Sequence, residues 1–147
     1  MATIGFSLKD ESRIGRSVIQ VEVLPDQALA MSATIRGIMM GNTLGRSESS
    51  VSLFLDNTGT TAPTVTVTYE VGFFRNNSND TIVDNIRWVT PENGGAISNL
   101  TAKSLVANTS YHESLNLPTA QFYRFTIVET GVAASTVALY AHIFTQK

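Results

Sequence analysis

The sequence contains no cysteine, which excludes a disulfide framework, thiolate metal sites and cysteine nucleophiles together. Charge is also scarce: Asp, Glu, Lys and Arg make up 15% of the residues, against about 25% in an average globular domain. Ten basic residues against twelve acidic ones leave a net charge of −2. No basic excess is therefore present to neutralise the phosphates of a nucleic acid. The one locally basic stretch, residues 9–16, is interrupted by Asp10 and Glu11. No apolar run reaches the roughly 18 residues that a membrane-spanning helix needs. The opening residues, MATIGFSLKDESRIGRS, lack the apolar centre of a secretory signal. These absences lead to the expectation of a protein made in the cytoplasm, with no nucleic-acid partner and no membrane partner.

What is present is a globular composition. Hydrophobic residues make up 43% of the chain, too many for a disordered segment of such low charge. At 147 residues the chain fits one domain with a substantial core. Much of the polar surface must be Thr, Ser and Asn. Such a surface suits packing against neighbouring subunits, and equally an ordinary extracellular-type β-domain.

Strand periodicity is the clearest pattern. In Thr64–Phe74, Val65, Val67, Tyr69, Val71 and Phe73 alternate with Thr64, Thr66, Thr68, Glu70 and Gly72, as in a half-buried antiparallel strand. Residues 50–55 place Val51, Leu53 and Leu55 on one side. Residues 122–128 and 136–144 alternate with apolar residues on both faces, which predicts central strands or a covered outer face. Residues 17–23 supply a fifth strand. Asp56-Asn57-Thr58-Gly59, Pro63, residues 75–80, Pro91 to Gly95 and Thr130-Gly131 provide the turns between them. Residues 26–40, DQALAMSATIRGIMM, fit either a helix beginning at Pro25-Asp26 or a strand over residues 34–40; the all-β setting favours the strand. The expected fold is an all-β antiparallel sandwich, jelly-roll-like, over residues 17–147, preceded by an extended N-terminal arm over residues 1–16.

The parts for catalysis are few. No nucleotide-binding glycine loop, G-x-S-x-G elbow or H-E-x-x-H motif occurs. The two histidines, His112 and His142, match no ligand or base spacing. His142, in strand register with Tyr140 and Phe144, reads as a packed or interface side chain. His112 follows Tyr111 in a loop-like stretch and could face solvent or a ligand. Asp56, Asp80, Asp84, Glu92 and Glu113 are dispersed, without the convergence to about 5–9.5 Å that paired-carboxylate chemistry needs. Asp80 and Asp84 could join loop carbonyls around Ca²⁺, but read better as solvated loop residues. The expectation is no catalytic, cofactor-binding or metal site, no cofactor, and no enzymatic activity. Among aromatics able to stack on a sugar, Trp88 reads as core, Tyr123 is a candidate, and Tyr111 is the better one. Asn76, Asn79, Asn99 and Asn108 head Asn-x-Ser/Thr triplets, read here as polar loops. Met31, Met39 and Met40 suit either an adaptable contact surface or, the favoured reading, core.

One resemblance adds to this. Phe122-Tyr123-Arg124-Phe125-Thr126-Ile127, then Thr130-Gly131, then Thr136-Val137-Ala138-Leu139-Tyr140, led by Leu115-Asn116-Leu117-Pro118, forms a closing hairpin. This stretch of about 30 residues resembles the end of small β-sandwich virion proteins of tailed bacteriophages, of the capsid decoration or cement type. The resemblance implies a structural virion subunit, made in the host cytoplasm, that stabilises the head by binding the major capsid protein or other virion subunits. Its cement members are commonly trimers, which implies a homotrimer. The alternative is a carbohydrate-binding or receptor-recognition module of a phage tail or fibre.

Overall fold

A computed structural model describes residues 4–7, 16–40, 48–75, 85–118 and 120–146. Ten strands occur among them: β1 (Ile4–Ser7), β2 (Arg16–Leu29), β3 (Thr34–Met40), β4 (Glu48–Asn57), β5 (Thr64–Phe74), β6 (Ile86–Val89), β7 (Lys103–Ser104), β8 (Thr109–Leu115), β9 (Phe122–Glu129) and β10 (Ser135–Gln146). They form two antiparallel sheets, ordered β1-β2-β10-β4-β8 and β3-β9-β5-β6, with β7 paired to β5. From β2 to β5 the chain changes sheet at every connection, and β9 and β10 close one sheet each. Setting aside β1 and β7, the two four-stranded orders are those of a jelly roll.

The inner faces follow the alternation in the sequence. Leu53 and Leu55 of β4, Val137 and Leu139 of β10, Val65 and Val67 of β5, and Phe125 and Ile127 of β9 expose nothing. β9 lies between β3 and β5, and β10 between β2 and β4, so the two strands with apolar residues on both faces are central. β3 occupies the residues favoured as a strand. The helix start at Pro25-Asp26 is not found: β2 continues through both residues to Leu29. Its pairing with β10 slips twice, around Leu139, and Pro25 and Asp26 lie exposed at that irregularity. A bulge is where a strand tolerates proline, because the missing N–H costs no ladder bond. Of the methionines, Met39 is core, whereas Met31 and Met40 are exposed. Phe73, at the end of β5, also emerges from the core. Within the segment expected as an arm, Ile4–Ser7 lies as an edge strand on β2, from Ile4 opposite Val21 to Ser7 opposite Val18. Asp80, Asp84, Asn76 and Asn79 lie outside the described residues.

Two buried polar side chains fasten one end of the sandwich. Glu129 continues the inward row Tyr123, Phe125, Ile127 and is only 1% exposed. Its carboxylate accepts from five backbone N–H groups, those of Ser32, Thr64, Gly131, Val132 and Ala133. The β2–β3 turn, the start of β5 and the β9–β10 turn thus meet on one side chain. Gly131 takes φ +96° there, a conformation open to glycine. Asn57 does the same for the neighbouring loops: its Nδ2 donates to the carbonyls of Thr61, Leu105 and Val106, while its Oδ1 accepts from Gly59 N and Ser135 Oγ.

Burial pushes the Glu129 carboxyl up, but the N–H groups of Ser32, Gly131, Ala133 and Val132 outweigh it and hold it at about 2, below the ordinary 4.5. The ionised form is therefore favoured by folding. Its contribution is complete above pH 4.5 and is lost as pH falls towards 2. Replacing Glu129 with Gln is expected to lower stability at neutral pH by about 2 kcal/mol, the scale of a charge-assisted hydrogen bond. Denaturant unfolding across pH should then show a shallower acid loss in the variant than in the parent.

Candidate functional site

With the inner faces consumed by the core, the chemistry available lies on the outer faces and edges. Residues paired across strands share a face, so the register defines the outer face of the β3-β9-β5-β6 sheet row by row. Met40, Phe122, Gly72 and Trp88 form one row; Ile38, Arg124 and Glu70 form the next; Thr34, Val128 and Thr66 lie two rows further on. Met40 is 51% exposed, and Ile38 and Val128 37% each. Phe74 meets Phe122 edge-on at 5.1 Å between ring centroids.

A charged cluster sits within this apolar face. Arg124 donates from Nη2 and Nε to Glu70 Oε1 at 2.7 and 3.0 Å, and its guanidinium lies 4.4 Å from the Trp88 ring centroid. Guanidinium stacking on indole, with Nε and Nη2 donating to one carboxylate, holds all three side chains in place. Gly72 makes room for it, since a Cβ there would come within 2.7 Å of the Trp88 ring and of Ile86. Apolar, aromatic and Met side chains around a fixed arginine are the composition of an interface core.

The opposite outer face is different. His112 and His142, which show no relation in sequence, flank Phe54 with ring centroids 4.9 and 4.7 Å away. The register explains it: β4 lies between β8 and β10, with His112 opposite Phe54 and His142 opposite Ser52. Tyr140 belongs to the same face. Burial raises its hydroxyl above the ordinary 10, and the carboxylates of Glu22, Asp26 and Asp56 add to the rise. Among the described residues, no three His, Asp or Glu side chains are grouped so as to hold a metal ion.

The aromatic residues read as sugar-stacking candidates are engaged elsewhere. Tyr111 is not in a loop but in β8, facing inward beside Leu55; its hydroxyl accepts from Val106 N at 2.7 Å and Lys103 lies over its ring. Tyr123 is core, with its hydroxyl donating to the Pro118 carbonyl and held above its ordinary pKa by burial. Trp88 is half-buried on the outer face instead of core, with one ring face covered by Arg124. His112 likewise belongs to β8 and not to a loop. The convergence of the histidines on Phe54 was invisible without strand order, because residues 54, 112 and 142 become neighbours only through two long-range pairings.

No family model matches the chain, and no curated protein matches it. Solved structures do. The chain is similar to VP2 in a subviral particle of infectious bursal disease virus, with TM-score 0.51 and 12% identity, covering 89% of this chain and 33% of that one. It thus spans about a third of the VP2 chain. It is also similar to the CBM22-1 xylan-binding domain of Paenibacillus barcinonensis Xyn10C, with TM-score 0.39 and 10% identity over 99% of this chain and 83% of that one. At such identities the likeness concerns the fold: a β-sandwich of the jelly-roll kind, shared with a viral capsid protein.

Trp88 is the chain's one tryptophan, so its emission reports on the outer cluster. A Gly72→Ala substitution is expected to lower stability by about 1–3 kcal/mol through overpacking. It should also shift Trp88 emission to the red as the ring is displaced from Arg124. Unchanged emission and unchanged unfolding would show that the cluster is not packed as described.

Proposed function

We propose that the protein is a structural virion subunit of the capsid decoration or cement class, acting by binding and carrying out no reaction. The observation that carries this reading is the outer face of β3-β9-β5-β6. There Ile38 and Met40 stand exposed beside the fixed Arg124–Glu70 pair, and Val128 lies beyond the row of Arg36, Thr126 and Thr68, on a jelly-roll body. An ordered apolar sheet face of this kind is retained where another protein covers it.

The partner in this reading is the major capsid protein or a neighbouring virion subunit, and the protein acts as a homotrimer on the particle. Low charge favours such contacts by keeping electrostatic repulsion between subunits small. The segment before β2 supports the reading too. Ile4–Ser7 adds to the edge of β2 by main-chain pairing, and the same chemistry serves equally well across a subunit boundary. Several modest contacts per trimer multiply through avidity.

Co-sedimentation with particles lacking this protein tests the reading. The double substitution Ile38→Asp, Met40→Asp is expected to weaken binding by about tenfold or more, with thermal unfolding of the free variant measured in parallel to separate loss of the face from loss of the fold. Deletion of residues 1–16 is expected to leave the sandwich folded and to weaken binding as well. Binding by the double variant indistinguishable from the parent would remove this face from the account.

A further inference from the structure

On the flank where β8 ends one sheet, a cleft of about 190 Å³ separates it from the segment at residues 93–98 beside β5. That segment is fixed on β5: Ala96 bridges Thr68, and Tyr69 N donates to Gly95 O at 3.0 Å. Glu113 reaches the cleft because Tyr111, Glu113 and Leu115 take the inward positions of β8, opposite Leu55, Leu53 and Val51. Among the described residues two glutamates thus point inward, and they differ sharply. Glu129 is satisfied by backbone donors, whereas Glu113 Oε2 is buried with no hydrogen-bond partner. Leaving such an acceptor unsatisfied is costly, the more so for a charged group.

The rest of the lining says what kind of donor would answer it. Asn93 and Asn116 line the cleft with Glu113, and Asn93 Oδ1 already accepts from Gly95 N at 2.9 Å. Asn93 keeps its amide N–H₂ as a donor and a second lone pair on Oδ1. A ligand that used both groups would donate to the carboxylate and accept from an amide. An ammonium group only donates, so it answers Glu113 but cannot use the amide N–H₂ groups. A hydroxyl does both. Ile97, Leu117 and Tyr69 also line the cleft, whose exposed surface is mostly polar. The volume equals that of about six liquid waters, enough for one pyranose ring.

We propose that this cleft binds one ring of a neutral saccharide, with Glu113 accepting from its hydroxyls and the Asn93 and Asn116 amides donating to them. The site lies on the flank of the sandwich, apart from the outer face assigned to assembly, and stands independently of that reading. The test is a titration of the isotope-labelled full chain with the methyl glycosides of glucose, galactose and N-acetylglucosamine, followed by amide NMR. At least one glycoside is expected to shift the side-chain amide signals of Asn93 and Asn116 saturably. Glu113→Ala should weaken that binding by about tenfold or more, with Glu113→Gln as the isosteric variant that keeps the fold. Absence of shifts with all three glycosides would overturn the proposal, as would binding by both variants as tight as the parent's. Methylammonium is the third arm: if it alone shifts these amides, the cleft is a cation site and the saccharide assignment is wrong.

Discussion

The carboxylate of Glu129 is the constraint on which much of this sandwich depends. It terminates the buried row of β9, where an unpartnered charge would be among the most costly groups in the molecule. Five backbone N–H groups from three separate stretches of chain converge on it. Each of those donors would otherwise be an orphan at a turn or strand end. The arrangement fixes where β3 and β5 begin relative to β9, and so fixes the register of the whole second sheet. Asn57 plays the corresponding part between β4, β10 and the loop before β8. The rows of side chains on the outer faces are ordered because these registers are.

Much of this architecture was legible in the sequence because strand alternation reports local burial directly. Val51, Leu53 and Leu55, the row from Val65 to Val71, and the closing pair β9 and β10 all fell where their period put them. Pro25 kept a helix open as the alternative to the strand found over Thr34–Met40, because a proline before a run of helix formers signals a helix start, and only the β10 register shows a bulge that accommodates it. The functional surfaces were far less legible. Whether an outward residue meets a partner depends on strand order, which a single sequence does not encode locally. Thus Trp88 could not be assigned to Arg124, nor His112 and His142 to Phe54. Tyr111 was misplaced because Thr109–Leu115 lacks an apolar alternation: its inward row reads Tyr, Glu, Leu. That same Glu113 carried a signal in hindsight, an acid at an inward position of an edge strand.

The two inward glutamates show how one residue type can serve opposite ends in one fold. Donors supplied by the backbone make Glu129 a structural fastener, while Glu113, with one oxygen unanswered beside an open cleft, is left for chemistry from outside. The outer faces divide in a similar way. One carries exposed apolar side chains beside the Arg124–Glu70 ion pair, with Arg36 a further charge on its rows, a surface less costly to desolvate than one bearing several carboxylates. The other carries half-buried aromatic rings with nearby carboxylates, which are costly to desolvate. The difference in desolvation cost is the physical reason for assigning assembly to the first.

Electron cryomicroscopy of particles carrying the bound protein measures this assignment most directly. The account expects the outer face of β3-β9-β5-β6 to lie against a neighbouring subunit, with Ile38, Met40 and Val128 in the contact. A reconstruction in which that face points to solvent, while the His112–Phe54–His142 face makes the contact, would contradict it.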